Sequence, residues 1–160
     1  MGPFDNAVER LGLVLPAAPQ AVAAYVPWVR TGNLVFVSGQ LPSKEGKVMF
    51  EGAVGGAGLT VEQGAEAARL CAINALAVLK AACGGDLDQI VKIVRLGVFV
   101  QSANGFDGQS KVANGASELF MQVFGEAGQH ARAAVGTNAL PLNAAVEVEL
   151  VAEVKAKGKK

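Results

Sequence analysis

The feature that most constrains the fold is a strict alternation of residues near the carboxyl terminus. Apolar residues alternate there with glutamates: Val146, Val148, Leu150, Ala152 and Val154 on one side, Glu147, Glu149 and Glu153 on the other. A period of two places the apolar side chains on one face of a β-strand and the carboxylates on the opposite face. The segment therefore predicts a strand in a sheet that buries one of its two faces.

A single arginine precedes this strand within a run of small apolar residues. Arg132 lies in Ala131–Val135, which predicts a second strand, and a turn signal at Leu140-Pro141 separates the two strands. An isolated charge in such a run requires a partner or a ligand. Antiparallel pairing of the two strands would bring Arg132 close to Glu147. This arrangement suits either a structural Arg–Glu ion pair, or a site where the guanidinium binds a carboxylate and the glutamate moves protons.

Helix and strand signals follow one another along the rest of the chain. Helices are predicted over Ala7–Leu11 with Asp5 or Asn6 as its cap, from the Thr60–Gln63 capping box to Cys83, and from Ser110 to Phe124. Strands are predicted over Tyr25–Arg30, Leu34–Ser38, Val48–Phe50 and Ile90–Gln101, with an extended segment over Leu13–Ala24 and a hairpin turn at Thr31-Gly32-Asn33. This order favours an α+β fold with both helices on one face of the sheet. The other sheet face is then apolar, and self-association would bury it.

Length and composition limit the domain count and the classes of partner. The 160 residues are 51% hydrophobic and 18% charged, with a formal net charge of +0, and the mean hydropathy is +0.35. We predict one domain over residues 1–154 with a short helical extension at its start, and a basic tail over 155–160. A neutral chain lacks the charge that nucleic acid or an anionic membrane attracts. An apolar surface in a chain of this size favours a homo-oligomer.

Targeting signals and cysteine usage predict a cytoplasmic protein. No apolar run approaches the length of about 20 residues that a membrane helix needs, and the first residues show no secretory signal. Cys71 and Cys83 fall twelve positions apart in one predicted helix. At about 1.5 Å of rise per residue they lie roughly 18 Å apart, which excludes a disulfide within the chain.

Several short motifs, taken together, resemble one known family. They are Ser38-Gly39-Gln40-Leu41-Pro42, a helix that carries Asn114, the lone Arg132, Leu140-Pro141 and Val146-Glu147-Val148-Glu149. In this order and spacing they are similar to the Rid (YjgF-type) family of reactive-intermediate, 2-imino acid or enamine deaminases, formerly termed endoribonuclease L-PSP. The resemblance extends over roughly Pro19–Val154. It implies a chorismate-mutase-like fold with a mixed sheet, and a homotrimer with a central barrel and three clefts shared between neighbouring subunits.

The resemblance also implies roles for individual residues. Arg132 corresponds to the family's carboxylate-binding arginine and Glu147 to its acidic residue near the bound water, whereas Tyr25, Gly39 and Asn114 match positions that line the cleft. Compact members often have Cys, Ser or Thr two residues after the arginine. This chain has Ala134 there, which leaves the backbone N–H as its contribution to the cleft.

The only histidine has two interpretations. His130 lies two residues before Arg132, so that on a strand it would share a face with the arginine and join the cleft as a substrate-binding residue. The alternative is a solvated loop histidine. One His and two distant Cys offer no metal-ligand set, and the implied chemistry requires no cofactor.

Three functions remain open from the sequence. The first is hydrolytic deamination of 2-imino or enamine acids to 2-oxoacids and ammonia. The second is a trimeric, non-catalytic binder or sensor of small carboxylates, which needs Arg132 but not a water-activating Glu147. The third is the endoribonuclease activity of the older family label, for which a neutral chain offers a poor surface.

Overall fold

The computed structural model describes residues 1–20 and 24–158. Its helices are α1 (Pro3–Arg10), α2 (Val61–Ala82) and α3 (Gln109–Phe124). Its strands are β1 (Trp28–Thr31), β2 (Leu34–Gln40), β3 (Ser43–Lys44), β4 (Lys47–Val48), β5 (Ile90–Gln101), β6 (Ala131–Thr137) and β7 (Val146–Val154). The predicted extended segment, Leu13–Ala24, has no regular secondary structure through residue 20. Its residues 21–23 lie outside the described residues. The last two residues of the predicted tail, 159–160, also lie outside them.

Among the described residues, five strands form one mixed sheet in the order β1-β2-β7-β5-β6. Neighbouring strands are antiparallel except β5 and β6, which run parallel and are connected through α3. Two parallel neighbours need such a crossover, because a tight turn reverses the chain direction. β6 pairs only with β5, so it forms an edge of the sheet. β3 and β4 form a separate small hairpin.

The strand order corrects one prediction from the sequence. The strands that carry Arg132 and Glu147 do not pair with each other, because β5 lies between them. The Leu140-Pro141 segment is not a hairpin turn. It belongs to a longer connection with a short 3-10 turn over Pro141–Asn143, which carries the chain past the end of β5.

The core lies between the sheet and the two long helices, which cover the same sheet face, as predicted. α2 buries mainly alanines, including Ala67, Ala68, Ala72 and Ala75, and their small side chains let this helix lie close to its neighbours. The predicted capping box at Thr60 and Gln63 is present. Within the described residues, no helix is both long enough and apolar enough to cross a membrane.

The amino-terminal helix is longer than predicted and is anchored by an acidic residue rather than capped by it. α1 begins at Pro3, whose fixed φ favours the first helical position. Asp5 is buried, where it accepts a hydrogen bond from Lys80 Nζ at 2.7 Å and one from the Leu87 N–H at 3.2 Å. These contacts attach α1 to the carboxyl-terminal end of α2.

The sheet face opposite the helices is mixed rather than uniformly apolar. Val29 and Phe36 are 52% and 44% exposed on β1 and β2. Close to them, Arg95 and Glu149 form an ion pair at 3.7 Å. This open face and the β6 edge are the surfaces that the chain leaves uncovered next to the predicted site residues.

Candidate active site

Arg132 points from the edge strand β6 toward α3. Its Cα partner in β5 is Leu96, which is fully buried beneath the helices, so Arg132 occupies the helix-facing side of the sheet. The guanidinium donates to Asn114 Oδ1 at 2.9 Å, to Ser117 Oγ at 3.1 Å and to the Ser110 carbonyl at 3.3 Å. The predicted pair Arg132 and Asn114 is therefore brought together.

The three acceptors around Arg132 are all neutral. The ion pairs among the described residues are Lys80–Asp5 and Arg95–Glu149, and neither involves Arg132. The interpretation of Arg132 and Glu147 as a structural ion pair within one chain is therefore wrong. A guanidinium has about five N–H donors, so three contacts fix its orientation and leave donors available for an anion.

His130 stabilises the position of Arg132 through a serine. His130 Nδ1 lies 2.6 Å from the Gly128 carbonyl and Nε2 lies 2.8 Å from Ser117 Oγ. A carbonyl only accepts, so Nδ1 carries the proton. In the neutral ring Nε2 then accepts from the Ser117 hydroxyl, whose oxygen accepts from Arg132. Both ring nitrogens are engaged by the protein, so His130 belongs to the support of Arg132. The alternative interpretation of His130 as a solvated loop histidine does not fit these two contacts.

The backbone N–H of Ala134, which the resemblance places in the cleft, points to the open edge of the sheet. The Thr137 carbonyl accepts from the Ser102 N–H at 2.9 Å, directly after β5. Peptide groups alternate along a strand, so the N–H of Ala134 points away from β5, toward the open sheet edge. It lies two residues from Arg132 on the same strand, so an N–H donor and the guanidinium lie on one stretch of the edge strand.

Glu147 lies on the opposite side of the sheet from Arg132. Its β7 neighbours Val146 and Val148 are buried under the helices, and its Cα partner in β5 is Phe99. The carboxyl group is half-buried, and burial raises its pKa above the ordinary value of 4.5, with a smaller contribution from the negative charge of Glu149. A carboxyl with a raised pKa retains a proton at higher pH and is a stronger base once ionised.

Gly39 leaves the space that the Glu147 carboxylate occupies. A Cβ atom at position 39 would overlap the Glu147 Oε1 atom and contact the rest of the carboxyl group. Gly39 also lines a small cleft of about 180 Å³ together with Tyr25 and Ser38. Tyr25, at 65% exposure, precedes β1 instead of lying within it as predicted. Tyr25, Gly39 and Glu147 thus form a second group of predicted residues.

The structure therefore divides the predicted site into two halves on opposite sheet faces. The β5 partners of Arg132 and Glu147 are Leu96 and Phe99. They are three residues apart, or about 10 Å along the strand, and their side chains point to opposite faces. The expectation that one chain brings Arg132 and Glu147 into one neighbourhood is wrong, because β5 separates their strands.

Ser117 is the contact that the sequence interpretation missed. It lies one helical turn after Asn114, and residues three apart share a helix face. That spacing is a signal that could have placed Ser117 beside Arg132. The contact with the Ser110 carbonyl could not be predicted from the residue type, because it uses a backbone atom.

The two cysteines carry no nucleophilic role. Both are free, as their spacing predicts. Burial raises the pKa of Cys71 well above its ordinary value and that of Cys83 to about 11. Since the thiolate is the reactive form, both thiols are inert near neutral pH.

One cluster of acidic side chains lies where α1 is attached to the rest of the chain. Asp5, Asp86 and Asp88 approach one another closely among the described residues. Lys80 neutralises Asp5, and the Phe4 N–H donates to Asp88 at 3.1 Å. These contacts serve the attachment of α1.

Comparison with known proteins agrees with this architecture. A model of the YjgF/chorismate mutase-like family matches residues 6–154 of the chain. The chain belongs to this YjgF family. Its α+β architecture, with a mixed sheet and two helices on one face, is the YjgF/chorismate mutase-like fold.

Individual YjgF relatives match over nearly their whole length. Protein TCP17 of Trypanosoma cruzi is 47% identical over 148 residues, which cover 92% of this chain and 91% of the relative. The crystal structure of protein Atu1372 from Agrobacterium tumefaciens is 45% identical, with a TM-score of 0.88, and the match covers 95% of this chain and 92% of that one. A 2-iminobutanoate/2-iminopropanoate deaminase of Dermatophagoides farinae is 28% identical over 141 residues, with coverages of 88% and 93%.

Proposed function

We propose that the chain is a hydrolytic deaminase of 2-imino acids and their enamine tautomers, with active sites completed between the subunits of a homotrimer. The observation that carries the proposal is Arg132, which three neutral acceptors hold in place without a carboxylate partner. A fixed guanidinium without a counter-charge is suited to bind a carboxylate. The name of the Dermatophagoides farinae relative, a 2-iminobutanoate/2-iminopropanoate deaminase, supports this substrate class at the level of the family.

In this proposal Arg132 and Ala134 bind the substrate carboxylate. The guanidinium supplies two parallel N–H groups and the Ala134 backbone supplies a third. Asn114 and Ser117 prevent the guanidinium from rotating. Fixing the carboxylate also fixes the adjacent C=N carbon, which is the positioning contribution to catalysis.

Glu147 of a neighbouring subunit acts on the attacking water. Within one chain Glu147 faces away from Arg132, so the two groups meet only when the outer sheet face of one subunit lies against the β6 edge of the next. The raised pKa of Glu147 suits a group that accepts a proton and returns it. Tyr25 and Gly39 bound the space in front of this carboxylate.

The reaction needs only water and proton transfers. Glu147 takes a proton as the water oxygen bonds to the imine carbon, and the π electrons of C=N move to nitrogen. Glu147 then delivers that proton to nitrogen. The remaining proton of the hydroxyl group transfers to nitrogen as the C–N bond breaks and the C=O bond forms. The products are a 2-oxoacid and ammonia, which balances one imine and one water.

A closed ring of subunits buries the apolar residues of the open sheet face. Val135 on the edge strand β6 is 47% exposed and Phe36 on β2 is 44% exposed. Both point to this face, because the β5 partner of Val135 is Phe99, which is also the partner of Glu147. A head-to-tail contact of this face with the β6 edge of the next subunit generates a ring when its rotation closes. We propose a ring of three, as the family resemblance implies.

A non-catalytic binder of small carboxylates is the second candidate. It would use Arg132 in the same way, and its binding requires no group that transfers protons. The half-buried Glu147 with its raised pKa favours the enzyme over the binder. An endoribonuclease is the third candidate and has the least support, because the net charge of +0 provides little attraction for RNA.

Substitution of Glu147 separates the enzyme from the binder. We expect Glu147→Gln to leave the calorimetric affinity for pyruvate within a few-fold of wild type. Ammonia release from the alanine-derived imine, generated in situ by an amino-acid oxidase, should fall by about 10²-fold. Wild-type activity should also fall as the pH drops through the raised pKa of Glu147, at a pH above 4.5, since protonation removes the base.

Glu149→Gln is the matched control. Glu149 is half-buried on the same strand face, but it pairs with Arg95. Its replacement should retain activity at neutral pH and move the acidic limb to lower pH, because a like charge is removed. Full hydrolysis by Glu147→Gln in an intact oligomer would contradict the catalytic role of Glu147.

A further inference from the structure

A large groove runs beside the β3–β4 hairpin, and none of the predicted site residues lines it. Its volume is about 660 Å³. One wall is the amino-terminal segment with Leu13, Val14 and Pro16, and the floor is α2 with Leu70 and Ile73. We call it the hairpin groove. Its volume falls within the range of about 300–1,000 Å³ that is usual for sites of drug-sized ligands, whereas the cleft beside Tyr25 has only about 180 Å³.

The hairpin groove adjoins the small cleft. Pro19, Gln40 and Ser43 line both of them. Gln40 follows Gly39, which contacts the Glu147 carboxylate. A molecule held at Glu147 and Gly39 therefore has the hairpin groove within reach through the end of β2.

A buried polar side chain lines the hairpin groove with one atom unpaired. Asn74 is only 7% exposed. Its Nδ2 donates to the Leu41 and Ser43 carbonyls, both at 2.9 Å, which identifies the other terminal atom as the oxygen. No described residue donates to Asn74 Oδ1. This oxygen is therefore free to accept from an N–H or O–H group of a ligand in an otherwise largely apolar site.

We infer that the hairpin groove binds the side chain of the substrate. The enzyme then prefers 2-imino acids whose side chains are large and apolar and carry one hydrogen-bond donor, and Asn74 Oδ1 accepts from that donor. The inference rests on the proposed function, because the carboxylate and imine of the same molecule occupy the Arg132–Glu147 site. It adds a substrate class that the small cleft alone does not accommodate.

The indole side chain is a suitable probe because it is apolar and has a single N–H. We expect wild-type protein to bind indole-3-pyruvate at least about tenfold more tightly than pyruvate in calorimetry, since even single methylenes in apolar pockets contribute on this scale. The tryptophan-derived imine should exceed the alanine-derived imine in kcat/KM by a similar factor. The analogue 1-methylindole-3-pyruvate, which lacks the donor, should bind about tenfold more weakly than indole-3-pyruvate.

Two substitutions fill the hairpin groove from its floor. Leu70 and Ile73 are partly exposed and one turn apart on α2. In either Leu70→Trp or Ile73→Trp, the preference for the indole compounds should disappear while pyruvate binding stays unchanged. Met121→Trp is the control, because Met121 is 37% exposed on α3 and does not line the groove. It should behave like wild type.

Binding and turnover report on different claims. A preference for indole-3-pyruvate that either filling variant removes supports the groove, even if no ammonia is released from any imine. Absence of ammonia release would refute only the proposed deaminase activity. Hydrolysis of both imines with equal kcat/KM, or filling variants that keep the wild-type ratio of affinities, would overturn the groove inference and leave the deaminase intact. Absence of both binding and turnover would refute both.

Discussion

At the scale of single residues, the central feature is an arginine whose orientation depends on hydrogen bonds that it donates to neutral groups. Ser117 Oγ receives a hydrogen bond from Arg132 and lies within hydrogen-bond distance of His130 Nε2. The His130 ring is itself fixed by the Gly128 carbonyl. An acidic partner would hold the guanidinium as firmly, but it would also compete with the substrate for it. Neutral support therefore leaves the full charge available for a ligand.

Removal of the Ser117 hydroxyl should weaken substrate binding more than turnover. Ser117→Ala takes one acceptor from Arg132 and one partner from His130, so the guanidinium binds the carboxylate less well in ground state and transition state alike. We expect KM for the alanine-derived imine to rise by about tenfold with kcat nearly unchanged. Ser117→Thr keeps the hydroxyl and should restore KM. A fall in kcat at constant KM, or equal defects in both variants, would show that Ser117 does not act through Arg132.

At the scale of elements, the β3–β4 hairpin depends on one helix side chain. Asn74 projects from α2 and donates to two carbonyls at the start of the hairpin, those of Leu41 and Ser43. The hairpin has only two residues in each strand, too few for independent stability. Asn74 therefore attaches the start of the hairpin to α2, and with it one side of the hairpin groove.

Replacement of Asn74 should destabilise the protein measurably. In Asn74→Ala two partly buried carbonyls lose their donor, and we expect the free energy of unfolding to fall by about 1–3 kcal/mol. Urea denaturation measures this change. Asn104→Ala is the control, because Asn104 is exposed in the turn after β5, and it should lie within about 0.5 kcal/mol of wild type. Equal stabilities of the two variants would contradict the anchoring role.

The same scale shows how far the sequence determines the structure. The β5 bounds match their prediction, and those of α2 and α3 do so within one residue, because apolar patterns and a capping box are local signals. Strand order is not local. The insertion of β5 between β6 and β7 is set by the crossover through α3. Family motifs therefore made Arg132 and Glu147 candidates for the site, but their placement on opposite sheet faces required the structure.

At the scale of the whole molecule, the two halves of the proposed site imply that a single chain is inactive. Arg132 stands beside an edge strand, and Glu147 stands on the open face of the same sheet. Each subunit can supply Arg132 to the site that it shares with one neighbour and Glu147 to the site that it shares with the other. Light scattering should accordingly report a trimer at micromolar concentration, and a monomer would refute the shared site.

Mixed trimers test the shared site directly. Arg132→Ala and Glu147→Gln should each be inactive as pure trimers. If the two chains are co-expressed in equal amounts, a site is intact when its arginine and its glutamate come from the two different chains in the productive order. At each site the subunit that supplies the arginine carries it in about half of cases, and the subunit that supplies the glutamate carries that residue in about half of cases. Random assembly therefore restores about one quarter of wild-type activity. If both groups acted from one chain, the mixture would stay as inactive as its components.

The close approach of Glu147 to Gly39 also constrains how this chain can evolve. A side chain at position 39 would have to displace the carboxylate, because the three nearest atoms that its Cβ meets all belong to Glu147. The two positions are therefore epistatic. A lineage in which the acid stays in its present position also keeps the glycine, and one that loses the acid is free to change both. Replacement of Glu147 by a smaller residue first makes room at position 39, so this order of substitutions avoids a local rearrangement.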